Sequence, residues 1–391
     1  ERDAASGTFR VVNRNSFTDL SGYDLHWTVL RDGQATQSGV FAGANAAPGA
    51  SADLALTLSN LPDDGAEYIL TLSATAKAGA IKGVPAGQGI GFNQFVLKPA
   101  KKAETTAAAV KPVRSGDVIT ATASGTALKV DARTGLVALS HGGKALLTGG
   151  APNFWRGLTD NDEGTGVVKS HAIWKTFTEQ RQVRSVEVSD DGVSILYSFG
   201  TGSVHWKTTY RLLTDGALSV AATFTPLRDD LPDPLRLGLR FDTDPSLTDM
   251  KWYGKGPQES YVDRLTGAGL GVYAGKVADQ YHAYSRPMES GNKTDVRWLT
   301  LSGNGEGLTV TGEQPLSVNA LAFPYEDLYL RKQGTWKSSD IAPHGDGSLL
   351  IDLIQTGVGG DTGWSLDGRP LAKYRIKLQP QSYAFTVRTG K

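Results

Sequence analysis

The chain has no cysteine among its 391 residues. That excludes a disulfide framework, thiolate catalysis and any thiolate-held metal. It excludes no compartment, and the location, cytoplasmic or periplasmic, stays open. An excess of charge of one sign is missing too: 40 Lys and Arg stand against 40 Asp and Glu. Such a balance offers no basic field for nucleic acid and no patch for an acidic membrane surface. No apolar run approaches the ~20 residues needed to cross a bilayer. Residues Glu1 to Gly7 lack the apolar stretch of a signal peptide. The sequence opens on Glu1 rather than Met, which reads as a start inside a longer chain.

Familiar catalytic patterns are also missing. There is no H-E-x-x-H metal motif, no phosphate-cradling glycine loop and no G-x-S-x-G elbow. Glycoside hydrolysis needs two carboxylates about 5–9 Å apart, and no pair stands out. We therefore assign no catalytic residue, no metal ligand and no cofactor site to this sequence.

Glycine is abundant, at 47 residues, well above the usual ~7%. With 17 Pro and many Thr and Ser, it points to short strands joined by turns. In residues 8–98, Leu25, Trp27 and Val29 alternate with polar neighbours, the period-2 pattern of a half-buried strand. Asp32-Gly33 is a hairpin signal. Tyr68, Leu70, Leu72 and Ala74 repeat the alternation, and Phe92 and Phe95 mark a last strand. Residues 1–99 are thus expected to form a small β-sandwich. Residues 100–112, bounded by Pro99 and Pro112, read as a linker. Residues 113–391 hold many further strand patterns, including Val118 to Ala123, Val193 to Phe199, Leu218 to Phe224, Leu349 to Ile354, Tyr374 to Leu378 and Ser382 to Val387. That number suits a large sandwich of two broad sheets.

Four segments carry unusual residues. Gly357 to Ser365 packs four glycines and Trp364 into nine residues, an irregular loop. Its indole fits either a sugar-stacking platform or a side chain folded onto the core. Asn153 to Gly166 places Phe154, Trp155 and Arg156 before the oxygens of Asp160, Asn161, Asp162 and Glu163. Those oxygens suit a turn, a loop beside a substrate site, or a hard cation. In Tyr253 to Arg264, the side chains of Glu259, Asp263 and Arg264 either pair with one another or face a ligand. In Tyr281 to Asn292, His282 and Glu289 are the candidate acid/base pair.

Taken together and in order, these segments resemble the C-terminal part of a family 2 glycoside hydrolase, the LacZ-type β-galactosidases. Asn153-Phe154-Trp155-Arg156 with Thr159-Asp160-Asn161-Asp162 resembles N-F-x-R-A-P-T-D-N-D. Gly256-Pro257-Gln258-Glu259 with Tyr261, Asp263 and Arg264 resembles G-P-x-E-N-Y-x-D-R. Pro287, Glu289 and Gly291 match P-x-E-N-G, and Gly357 to Trp364 is similar to G-x-G-G-D-x-x-W.

The resemblance implies an all-β chain. Its first part would be an immunoglobulin-like β-sandwich, and its second the small-chain domain, a large antiparallel supersandwich similar to galactose mutarotase. It implies that the catalytic glutamates and the Mg and Na sites lie in a barrel this sequence does not match. It implies a carbohydrate partner (a β-galactoside), the catalytic barrel of the same protein or of a large subunit as a second partner, and a homo-oligomer at full length. By the same resemblance Trp364 is a substrate platform. Gly164 starts a loop that closes over the site, and Asp160, Asn161 and Asp162 shape its turn. Two other readings stay open: a stand-alone carbohydrate-binding module, and a mutarotase-like epimerase using His282 and Glu289. Three departures stand out. Gly157-Leu158 replaces Ala-Pro, which predicts a looser approach to the turn. Ser260 and Ser290 replace asparagines.

Overall fold

The computed structural model describes residues 7–58, 61–101, 107–329, 337–362 and 365–390. The chain is all-β, with helix confined to short segments. It divides into two compact units, Glu1–Glu104 with Gly269–Val272, and Thr105–Ala268 with Tyr273–Lys391.

The smaller unit is a sandwich. Strand Thr8–Val12 pairs antiparallel with Ser51–Ala55. A four-stranded sheet runs Gln34–Val40, Tyr23–Arg31, Tyr68–Ala76, Gly89–Lys98. The Asp32-Gly33 signal is borne out. Arg31 pairs with Gln34, and both turn residues have positive φ, 48° and 80°, as a type I′ turn requires. Inward-facing Phe9, Leu25, Val29, Leu54, Tyr68 and Leu70 form the core. Across the first hairpin, Trp27 lies on Gly39, where a Cβ would stand 2.7 Å from the indole.

The larger unit is built on one continuous sheet of sixteen strands. Its organising element is Glu306–Leu321. The first part of this strand, residues 307–312, pairs with Gln381–Gly390. Residues 317–321 pair with Gly347–Gln355. One strand thus passes from one layer into the next, and its other edge is taken by Lys293–Gly303. From Gln381–Gly390 the first layer continues through Leu218–Pro226, Val204–Leu212, Gly192–Phe199 and Gln182–Ser189. From Gly347–Gln355 the second continues through Arg236–Thr243, Lys144–Asn153, Val137–His141, Thr126–Asp131, Val118–Ala123 and Val113–Ser115.

The layers enclose a large apolar core. Tyrosines cross it and satisfy their hydroxyls on the opposite layer. Tyr197 Oη donates to Gly135 O at 2.9 Å and Tyr383 Oη to Ile351 O at 2.8 Å. Buried phenols need such partners.

Two local expectations are corrected. Tyr374 to Leu378 is not a strand; Ala372–Tyr374 is a 3-10 turn. Its backbone is committed to a neighbouring loop instead: Gly357 N donates to Tyr374 O at 2.9 Å, and Ile376 N to Thr356 Oγ1 at 3.3 Å. Helix Ala172–Glu179 went unanticipated. It is short, and its stability comes from inserting Trp174 and Phe177 into the core rather than from propensity. Phe154 collects ring contacts from Trp174, Phe199, Trp206 and Phe224 at 5.2 to 5.9 Å.

Candidate functional site

The unusual segments converge in the larger unit, and Arg156 is their centre. Its residue is fully buried, and all three of its guanidinium nitrogens donate hydrogen bonds. Nε and Nη2 reach Asp162 Oδ2 and Oδ1 at 3.0 and 2.9 Å. Nη1 donates to Thr356 O at 2.7 Å, and Nη2 also to Gly357 O at 2.9 Å. One side chain therefore fixes both the acidic turn and the start of the glycine-rich loop. A bidentate Arg–carboxylate fork is the geometry that makes a buried pair tolerable.

Asp162 has a second duty. It sits at the third position of the one-turn helix Asp160–Gly164, and Thr159 is the N-cap. Thr159 Oγ1 accepts from Asp162 N at 3.1 Å, while Asp162 Oδ2 accepts from Thr159 N at 3.0 Å. This reciprocal capping box satisfies two orphan helix donors. The turn reading of these oxygens therefore describes Asp162. With Arg156 and Thr159 holding its carboxylate, it is not aimed at a shared cation position. Asn161 reaches outward from the same turn, its Nδ2 donating to Gly368 O at 2.9 Å and Thr362 O at 3.2 Å. Asp160 opens the helix and is half-buried. Gly164 closes it and is followed by Gly166 in the left-handed region.

The glycine-rich loop is gripped from another side by Asp263, whose Oδ2 accepts from Gly359 N at 2.7 Å. Gly357 passes so close that a Cβ there would stand 2.4 Å from that oxygen. The side chains of Arg156, Asn161 and Asp263 thus hold the backbone at Thr356, Gly357, Gly359, Thr362 and Gly368. Gly363 and Trp364 lie outside the described residues.

Glu259 and Arg264 pair with each other. Glu259 also accepts from Tyr284, from Tyr261 at 3.1 Å and from Gly291 N at 2.7 Å. Burial alone would raise its carboxyl pKa, but these donors outweigh burial and hold it below its usual value.

Glu289 belongs to a second buried network. Arg236 Nη2, Asn319 Nδ2 and Gln355 Nε2 each donate to its Oε1 at 3.0 Å, and Tyr325 Oη donates to Oε2. His282 is exposed, its ring edge-on to Tyr284 at 4.5 Å. The expected acid/base pair is therefore not assembled, because Glu289 is enclosed by other donors. Asp352 faces the same Arg236, with Oδ2 2.8 Å from Nε. That N–H is not aimed along the contact, so it is an ion pair rather than a hydrogen bond. Burial, opposed by Arg236 and assisted by Glu289, pushes Asp352 up to about 7.

The departures from the motif pattern are accommodated. Gly157 abuts Leu328 and Glu289, where a Cβ would stand 2.7 Å from the Leu328 Cβ. Glu289 N donates to Gly157 O at 2.9 Å. The approach to the turn is held by these contacts despite the missing proline. Ser260 Oγ bonds Thr294 Oγ1 at 2.8 Å, and Ser290 Oγ donates to His282 O at 3.0 Å.

Sequence reasoning missed Arg236 and Asp352. Their signal was present: a charge inside the apolar runs Leu235-Arg236-Leu237 and Ile351-Asp352-Leu353. It also missed Asp233, held down to about 2; burial would raise it, but the neighbouring His171 and the Arg369 donor prevail.

The β-galactosidase small-chain family matches residues 122–388, and β-galactosidase domain 4 matches residues 9–98. A β-galactosidase of Priestia megaterium is 31% identical over 382 residues, covering 94% of this chain and 36% of that protein. One from Halalkalibacterium halodurans is 29% identical over 376 residues, covering 90% and 36%. A galactose mutarotase related enzyme from Lactobacillus acidophilus superposes with a TM-score of 0.36 at 8% identity, over 70% of this chain and 97% of that one, and no conclusion rests on it. This chain spans about 36% of the length of these two β-galactosidases, and it belongs to the β-galactosidase small-chain family.

Proposed function

We propose that this chain is the C-terminal, non-catalytic part of a β-galactosidase that hydrolyses terminal β-D-galactosides. Its task is to complete the substrate site of a catalytic barrel carried elsewhere in the same protein or on a large subunit. In this reading residues 1–99 and 113–391 are the two domains, joined by 100–112. Trp364 stacks on the sugar or its aglycone. Asp160, Asn161, Asp162 and Gly164 form the turn from which a loop closes over the site.

The observation that supports the reading is the double clamp on residues 356–368. Arg156 and Asn161 tie the acidic turn to the glycine-rich loop through four side-chain bonds to backbone carbonyls. The two Arg156 bonds are buried and charge-assisted, and they fix the backbone at Thr356 and Gly357, the kind of positioning a substrate wall requires. The carboxylates of Asp162, Glu259 and Glu289 are each engaged by an arginine, which suits a supporting role.

The test is complementation. This chain and a barrel-containing remainder are mixed with a chromogenic β-galactoside. Turnover is expected only in the mixture, and turnover by this chain alone would sink the proposal.

A further inference from the structure

A cleft of about 500 Å3 lies in the larger unit, between the Pro257–Arg264 segment and residues 279–284, with Lys293 at its wall. That volume is within the ~300–1,000 Å3 range of small-molecule sites.

Lys293 is the unexplained residue. It is 1% exposed, and its Nζ stands 5.1 Å from the centre of the Trp252 ring. Among the described residues it has no hydrogen-bond acceptor. Burial pushes Lys293 down to about 8, opposed by the charge of Glu259. Glu259 lines the same cleft, but its oxygens are taken up by Arg264, Tyr284, Tyr261 and Gly291.

The rest of the wall offers acceptors. Gln258 and Gln280 each spend an amide N–H on backbone, on Gly267 O and Lys276 O. An amide carbonyl has two lone pairs of its own, so both side chains bring acceptor capacity to the cleft. Its charges cancel, with Glu259 and Asp279 against Arg264 and Lys293. A free anion would meet two carboxylates there. A neutral ligand whose groups both donate and accept suits the wall better, and the hydroxyl is that group. Tyr284 and His282 add flat rings beside it.

We propose that this cleft binds a neutral polyhydroxylated ligand, a mono- or disaccharide, with Lys293 Nζ donating to one of its hydroxyls. The site needs neither a barrel nor Trp364, so it stands or falls separately from the complementation reading.

The experiment is titration calorimetry on the full chain with galactose, lactose and inorganic phosphate. Binding of a sugar with Kd of about 1 mM is expected. Lys293→Met should weaken it about 10-fold or more. Methionine replaces a buried charge with an apolar chain over Trp252, so the fold should survive. Should it not, exposed His282→Ala provides the second variant, with a severalfold loss expected. No sugar binding at about 100 mM, binding of phosphate in place of sugar, or full retention of sugar binding in Lys293→Met would each overturn the proposal.

Discussion

Asp352 is the residue where physics and pattern pull hardest against each other. It lies fully buried in an apolar strand beside one arginine that it shares with Glu289. Two carboxylates on one guanidinium leave a surplus negative charge, and a proton on Asp352 removes it. An unfolded aspartate titrates near 3.9, whereas Asp352 sits at about 7. Between these values the folded chain binds the extra proton. The contribution to stability therefore falls as pH rises through that window, by at most about 1.4 kcal/mol per pH unit. It levels off above about 7. Asp233 and Glu259, whose pKa values are lowered, act in the opposite sense, so the comparison must be between variant and native chain. Asp352→Asn should lose relative stability at pH 4 and gain it steadily up to pH 7, measured by urea unfolding. A difference independent of pH would show that Asp352 does not titrate in this window. In the sequence, this residue was visible only as a charge in an apolar run. Which arginine it would meet depended on strands more than a hundred residues apart.

At the scale of elements, strands were legible and turns around the site were not. Alternation places Val118–Ala123 and Gly192–Phe199 almost to the residue, because one face of each is buried and a one-residue slip would expose it. Tyr374 to Leu378 shows the same alternation, yet its backbone bonds go to Thr356 and Gly357. Hydrophobic pattern alone does not specify a hydrogen-bond partner. The clamp at residues 356–368 separates two kinds of element-level support. Arg156→Met removes the charge partner of buried Asp162, which keeps only the Thr159 N–H, and leaves Thr356 O and Gly357 O without their Arg156 donors. A loss of about 3–5 kcal/mol in global stability is expected. Asn161→Ala removes two partly exposed bonds to carbonyls. Its effect should be about 1–2 kcal/mol and local. Hydrogen exchange would then rise in 357–368 while the unfolding midpoint moves little. Equal effects of the two substitutions on global stability would mean that the clamp has no hierarchy.

For the whole molecule, the all-β class followed from glycine content and period-2 runs, but the path of the sheet did not. Glu306–Leu321 bridges both layers, and only its stretch from Leu308 to Val310 reads as strand in sequence. Its remaining residues pair because two other strands compete for the same edge in succession, a property of the assembled sheet. The candidate site was legible for a different reason. Its motifs are local runs of unusual residues, and the hydrogen bonds of Arg156, Asn161 and Asp263 join three of them in space. What they support is positioning rather than bond cleavage, which makes a kinetic prediction for the complemented enzyme. A stacking platform that binds ground state and transition state alike contributes uniform binding. Trp364→Ala should then raise KM about 10-fold with kcat changed little, a loss of about 1.4 kcal/mol. Asn161→Ala should move KM in the same direction by a smaller factor, because it acts on the loop rather than on the sugar. A fall in kcat with KM unchanged would instead place these residues in contact with the transition state alone, and the supporting role argued from the clamp would not survive it.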